Sequence, residues 1–298
     1  MPIQLGQYPP ARQVLVHLSD THFLAGGALL HGALTTESNL ERALAQVEAT
    51  GIRPSALIFT GDLTDRGETD AYARLRDRVE PVAARLGAEL IWLMGNHDER
   101  GPMRRELLRQ GESDAPIDRV WNLGGLRFIG LDSSVPGFHH GELDDSQLAW
   151  LAAELETPAE SGTIIGLHHP PAPAPQPLFD LLELRDQSRL ESVLTGTDVR
   201  AILAGHLHYA MTSMFAGIPV SVAAATCYTM NLANPPRSTN GMNGGQSFNL
   251  LHVYDDRITH SVVPIGDFDT SDFFTDAFIA EMEALTPEER VEAFSRKR

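Results

Sequence analysis

The 298-residue chain is 42% hydrophobic and 21% charged, enough to bury a core, and carries a formal charge of −17 from 40 acidic against 23 basic residues. A body that acidic is a poor general nucleic-acid binder, and an anionic substrate must find local positive charge such as a bound metal. Lys297 is the sole lysine, which excludes lysine-dependent P-loop, kinase and Schiff-base chemistry, and the single Cys227 excludes an internal disulfide or a thiolate zinc site.

The N-terminal MPIQLGQYPPARQ lacks the pattern of a signal peptide, and no apolar run reaches the ~18 residues of a membrane helix. The expectation is a cytoplasmic protein without an integral membrane segment, which leaves peripheral membrane attachment open. Six short apolar runs read as strands: Val14–Ser19, Ala56–Thr60, Glu89–Met94, Leu126–Leu131, Thr163–Leu167 and Ala201–Ala204. Helical stretches at Thr36–Thr50 and Thr69–Leu86 separate the first three, the alternation expected of βαβ units, and strands apolar almost throughout belong where both sheet faces are covered. Met211–Ala225 and Phe248–Pro264 read as hairpins turning at Ala216–Gly217 and Asp255–Asp256. Pro170–Pro177 is a stiff extended loop, and Asn231–Gln246, rich in Asn, Gly and Pro, a long surface loop. Thr286, Pro287 and Glu289 form a helix-start signature near the C-terminus. The chain divides into a catalytic domain, 1–265, and a helical tail, 266–298.

The chemistry sits at the strand ends. The first strand runs into Asp20 and His22, the second into Gly61-Asp62, the third into Gly95-Asn96-His97-Asp98. Thr163–Leu167 runs into His168-His169, and Ala201–Ala204 into Gly205-His206-Leu207-His208. Ligands of open α/β sheets bind at that carboxyl edge. Carboxylate, amide and imidazole donors without thiolate suit a pair of borderline-to-hard metal ions, and buried acids need a compensating cation.

These five segments, together with His17-Leu18-Ser19-Asp20-Thr21-His22, Thr60-Gly61-Asp62-Leu63-Thr64-Asp65, His168-His169-Pro170-Pro171 and Ala223–Thr229, resemble the calcineurin-like binuclear metallophosphoesterases. Within them the chain looks most like the bacterial class III cyclic nucleotide phosphodiesterases, the mycobacterial branch in particular. The resemblance covers about Val14 to Pro264. It implies an α/β (mixed α+β) fold, a four-layer α/β/β/α sandwich of two mixed sheets flanked by helices. It implies Asp20, His22 and His208 on one metal, Asn96, His168 and His206 on a second, and Asp62 bridging both. Iron with manganese is the expected pair, with two manganese ions or zinc also compatible.

The reaction so implied is hydrolysis of a 3′,5′-cyclic nucleotide to a 5′-monophosphate by attack of a metal-bound hydroxide. The same centre would serve a glycerophosphodiesterase or a broad phosphodiesterase, and a metal-poor binding scaffold is the reading from a different class. His97 is the candidate catalytic acid, with Asp98 as its orienting partner. Asn96, His97, His139 and His140 are candidate substrate contacts, and His31 could line the site. Phe138, Phe179 and Tyr209 are the aromatics offered for base stacking. Asp65 and Arg66 read as a turn or as support for the site, His169 as a packed neighbour, and His17, His252 and His260 as ordinary strand histidines. The expected partner is a small phosphodiester, not nucleic acid, and close relatives suggest a homodimer.

Overall fold

In a computed structural model, residues 4–235, 237–269 and 274–297 are described. Where the sequence alternates apolar runs with amphipathic stretches, strands alternate with helices: β1 (Gln13–Leu18), α1 (Thr36–Ala49), β2 (Ala56–Phe59), α2 (Thr69–Leu86) and β3 (Glu89–Trp92). There follow α3 (Arg100–Glu106), β4 (Arg119–Leu123), β5 (Leu126–Gly130), α4 (Asp145–Leu155), β6 (Thr163–Gly166), α5 (Gln187–Leu194) and β7 (Val199–Ala204). The hairpin β8 (Met211–Phe215) and β9 (Ile218–Val222), the two-residue ladder β10 (Thr229–Met230) with β11 (Gly241–Met242), and the hairpin β12 (Ser247–Val253) and β13 (Ile258–Pro264) come next. Helices α6 (Asp276–Ala284) and α7 (Pro287–Arg290) close the chain.

The strands form a five-stranded sheet, β13-β12-β1-β2-β3, and a six-stranded sheet, β4-β5-β6-β7-β9-β8. In the first, β1, β2 and β3 are parallel while β12 runs antiparallel to β1; in the second, β5, β6, β7 and β9 are parallel. Leu15, Ile58, Ile91 and Leu93 of one sheet pack on Phe128, Ile164, Ala201 and Leu203 of the other. On the outer face of the first sheet lies the stripe Leu40, Ala43, Leu44 and Val47 of α1 and Tyr72, Leu75 and Val79 of α2. Leu148, Leu151 and Leu155 of α4 and Leu190 and Leu194 of α5 cover the second. This is the expected four-layer sandwich, and each fully buried Leu, Ile or Phe contributes roughly 1.5–3 kcal/mol to it.

Local signals end the elements where the sequence places them. Helix α2 stops at Gly87, in the left-handed conformation at φ 70°, and α7 starts at the Thr286–Glu289 capping box. Strands β4 and β10 and helices α3 and α4 were not foreseen, α6 falls within the tail read as helical, and the supposed surface loop 231–246 contains β11, whose pairing with β10 ties the loop to the body.

Candidate metal centre

Parallel strands aim their carboxyl ends at one edge, so the turns after β1, β2, β3, β6 and β7 meet there. Five of the seven candidate ligands adopt left-handed backbone angles: Asp20 (φ 53°), His22 (44°), Asp62 (48°), His206 (72°) and His208 (58°). Non-glycine residues persist in that region only where their surroundings impose it, and such strain clusters at functional sites. Two glycines permit the crowding. A Cβ on Gly95 would collide with the Asp62 backbone and carboxylate, and one on Gly205 with Ser19 and Asp20.

Hydrogen bonds to Nδ1 fix which way three imidazoles face. His22 Nδ1 donates to Asp65 Oδ1 (3.1 Å), His168 Nδ1 to the Thr60 carbonyl (2.7 Å) and His208 Nδ1 to the Tyr228 carbonyl (3.1 Å). Their Nε2 atoms therefore turn lone pairs inward. His22 Nε2 lies 3.2 Å from His208 Nε2 and 3.5 Å from Asp62 Oδ2. His168 Nε2 lies 3.1 Å from Asn96 Oδ1 and 3.3 Å from Asp62 Oδ2, and His208 Nε2 3.4 Å from Asp20 Oδ1. Acceptors this close repel one another unless a proton or a cation lies between them. His206 is oriented from its other nitrogen, because Nε2 donates to the Leu182 carbonyl at 3.0 Å and leaves Nδ1 as the donor atom. An outer hydrogen bond on the far ring nitrogen is the usual support of a metal-ligating histidine. Ligand atoms of Asp20, His22, Asp62 and His208 all lie within 4.8 Å of one another, and those of His168, His169 and His206 form a neighbouring group. The donor set fits two cations.

The charges agree with that fit. Burial would raise the buried Asp20 carboxyl, yet His208 and His168 hold it at about 2. Asp62 likewise stays well below the usual carboxylate range through His168 and His22, although burial opposes its charge. Burial lowers His168, but Asp62 and Asp20 outweigh it and bring the imidazole up to about 9. Burial, with His168 alongside, pushes His206 down to about 3. Taken as protein groups alone, the cluster concentrates negative charge that binds protons tightly, and cations compete for the same places.

Around this cluster is a cavity of about 250 Å³, with His22, Asp62, Asn96, His206 and His208 at its floor and His31, His97, His139, Phe179, Leu182, Tyr228 and Met230 among its walls. His97 donates its backbone N–H to Asp62 Oδ1 (2.8 Å) and Nδ1–H to the Asp65 carbonyl (2.9 Å), so its Nε2 is free to act. His139 Nδ1 accepts from Asn96 Nδ2 at 2.9 Å, which aims Asn96 Oδ1 towards His168.

Asp98 does not orient His97. Its carboxylate accepts from the backbone N–H groups of Leu63, Thr64 and Gly95 and from the Tyr72 hydroxyl (2.8 Å), so it staples the turn after β2 to the turn after β3. Burial beside Asp62 pushes it up to about 6, against those bonds. His140 points away from the cavity, buried against Phe138 and 3.0 Å from Glu142 Oε1. His169 has both nitrogens engaged, with Ser133 Oγ (2.8 Å) and the His139 carbonyl (3.2 Å), and holds the His139 loop. Of the three aromatics offered for stacking, Phe179 reaches the cavity; Phe138 is exposed outside it, and Tyr209 is buried beneath it, pushed up to about 12 by burial. Tyr228, Met230 and Leu182 were missed. Tyr228 alone carried a signal, since it lies in the Ala223–Thr229 stretch.

A two-sheet sandwich carrying this cluster defines a metallophosphoesterase, and the chain belongs to the calcineurin-like phosphoesterase family, which it matches over residues 14–210. It is 56% identical over 266 residues, 89% of this chain and 88% of the relative, to a probable cyclic nucleotide phosphodiesterase of Rhodococcus erythropolis. It is 53% identical over 268 residues, 90% of this chain and 84% of the relative, to a cAMP/cGMP dual specificity phosphodiesterase of Mycobacterium tuberculosis. In fold it is similar to a dimetal phosphatase from Danio rerio, with a TM-score of 0.61 at 16% identity, covering 86% of this chain and 98% of that one. Among the described residues no helix is long and apolar enough to cross a membrane.

Proposed function

We propose that the chain is a metal-dependent phosphodiesterase that hydrolyses 3′,5′-cAMP and 3′,5′-cGMP to the 5′-monophosphates, with residues 1–265 as the catalytic domain and 266–298 as a helical tail. The observation that carries it is the buried cluster of Asp20, His22, Asp62 and His208 beside His168 and His206, in a chain 53% identical to a protein described as acting on both nucleotides. Asp20, His22 and His208 would hold one cation and Asn96, His168 and His206 the other, with Asp62 available to both. Iron with manganese is the proposed pair, and two manganese ions or zinc suit the same donors. Bound there, the two ions supply positive charge to the phosphoryl oxygens and a nucleophile from water near neutral pH.

The side chains do the rest. Asn96, its amide oriented by His139, holds the phosphate end of the substrate near the floor. His97, anchored through Nδ1 to the Asp65 carbonyl, presents Nε2 to donate a proton to the departing 3′-oxygen as the ring opens. The cavity of about 250 Å³ is of small-molecule scale, and the acidic body disfavours polymeric nucleic acid.

The test is turnover of 3′,5′-cAMP and bis(p-nitrophenyl) phosphate by metal-quantified, manganese-loaded protein beside Asn96→Ala. Cleavage of both by the parent, with higher kcat/KM for the cyclic nucleotide and a large loss in the variant, is expected. Cleavage of the activated diester alone makes it a glycerophosphodiesterase or broad phosphodiesterase. No cleavage with two metals bound leaves a scaffold. The accompanying homodimer is tested by light scattering.

A further inference from the structure

Phosphate chemistry leaves open what recognises the rest of the substrate, and the walls of the cavity are not equivalent. Phe179 is only 9% exposed and packs into the core under α4 and α5, so it offers little beyond its edge. Tyr228 is half-buried and lines the cavity from the other side. Three neighbours pin its ring. His208 lies 4.5 Å away, centroid to centroid, and His31 stands at 5.6 Å and 67°, nearly perpendicular. The backbone of Gly241 lies so near that a Cβ there would come within 2.7 Å of Tyr228 Cδ2. The short ladder of β10 and β11 sets Gly241 opposite Met230 and so brings that bare backbone against the ring. His31 is itself held at φ 52° in the tight turn between Leu30 and Leu34. Among the described residues, neither its ring nitrogens nor the Tyr228 hydroxyl has a hydrogen-bond partner.

Resting on the phosphodiesterase reading, we propose that Tyr228, squared off by His31, is the platform on which the purine base of the substrate stacks. A fixed ring loses little conformational freedom on binding, and every base has a face that can stack on it. Both members of the corner line the cavity, the Tyr228 ring for stacking and the His31 imidazole for the rim of the base. The tyrosine stands beside His208, ring against ring at 4.5 Å, and so next to the donor cluster at the floor of the same cavity. Tyr228 also touches the metal cluster twice, through its backbone carbonyl to His208, which any side-chain substitution retains, and through its ring against that of His208, which Tyr228→Phe retains.

The experiment compares Tyr228→Leu and Tyr228→Phe with the parent, all metal-quantified. One arm measures hydrolysis of 3′,5′-cAMP and of methyl p-nitrophenyl phosphate, whose single ring is the leaving group. The other measures calorimetric binding of 5′-AMP and of ribose 5-phosphate, which differ by the base alone. Tyr228→Leu is expected to raise KM for cAMP by roughly ten-fold or more. It should weaken 5′-AMP towards the affinity of ribose 5-phosphate with metal content intact, and Tyr228→Phe should restore both. Equal losses on both diesters, unchanged 5′-AMP binding, or a Phe variant as poor as Leu would each overturn the platform. A parent enzyme that cleaves the simple diester and not cAMP overturns the nucleotide reading and the platform with it.

Discussion

The floor and the rim of the cavity are built on opposite plans. The floor comes from turns at the ends of five parallel strands, with the carboxylates and most of the imidazoles buried and their hydrogen bonds set by packed backbone. The rim comes from loops: His31 before α1, His139 after β5, Phe179 and Leu182 before α5, Tyr228 and Met230 at the small ladder. The difference teaches a division of labour. Chemistry shared by many phosphodiesters is placed where the sandwich allows no movement, and discrimination is placed where a loop can change without disturbing the core.

The largest break is expected at the centre of the floor. Asp62→Ala removes the one carboxylate that faces both His22 and His168, at 3.5 and 3.3 Å. Turnover of any diester should fall on the order of 10³-fold, with metal content below two per chain by elemental analysis. Retained metal and rate would mean that the floor is organised by something other than Asp62.

His97→Ala should come next. Its ring lines the cavity with Nδ1 tied to the Asp65 carbonyl, and it lies outside the seven proposed ligands, so turnover should fall about 10²-fold with both metals kept. Loss of the metals in parallel would place His97 on the floor and not above it.

Charge at the floor gives a third, milder test. In metal-free protein, burial lowers His168, but Asp62 and Asp20 outweigh it, taking it from 6.5 to about 9. Its bound proton then stabilises the fold fully below pH 6.5, and that contribution disappears as pH rises through about 9. His206, at about 3, is neutral in the folded chain throughout, whereas the unfolded imidazole still loses its proton near 6.5, so it opposes the trend only at the start of that window and adds no slope above about pH 7.5. Chelated protein should therefore melt lower, on the order of several degrees, as pH goes from 6.5 to 9, while metal-loaded protein does not follow it. Parallel melting curves for the two forms would show that protons do not stand in for cations at this site.

The same division decides what could be read from the amino acids. The floor was legible because apolar runs mark strand ends and because Asp, Asn or His follows each of them, beside a glycine at Gly61, Gly95 and Gly205. The alternation announced βαβ units, and the two-sheet sandwich came with the family resemblance. Side-chain direction did not. His139 and His140 are adjacent, yet one reaches Asn96 and the other Glu142, because successive residues in a turn face different ways. Asp98 adjoins His97 in the chain but turns inward to a set of backbone donors no spacing announces. Tyr228 was hidden for a further reason. Its place depends on Gly241, thirteen residues on, lying bare against its ring.

That dependence yields the smallest effect and the sharpest one for separating rim from floor. Gly241→Ala puts a methyl group on β11 within 2.7 Å of Tyr228 Cδ2, so the ring must tilt or the two-residue ladder must part. Neither Gly241 nor its ladder partner Met230 belongs to the donor cluster. The His208 bond to the Tyr228 carbonyl belongs to the preceding turn. If the ring is a platform, moving it should raise KM for cAMP several-fold, less than deleting it, while kcat and metal content stay near those of the parent. A fall in kcat instead would mean that Tyr228 acts by steadying His208, and the boundary between floor and rim would then run outside this residue, with the ladder serving the metals directly.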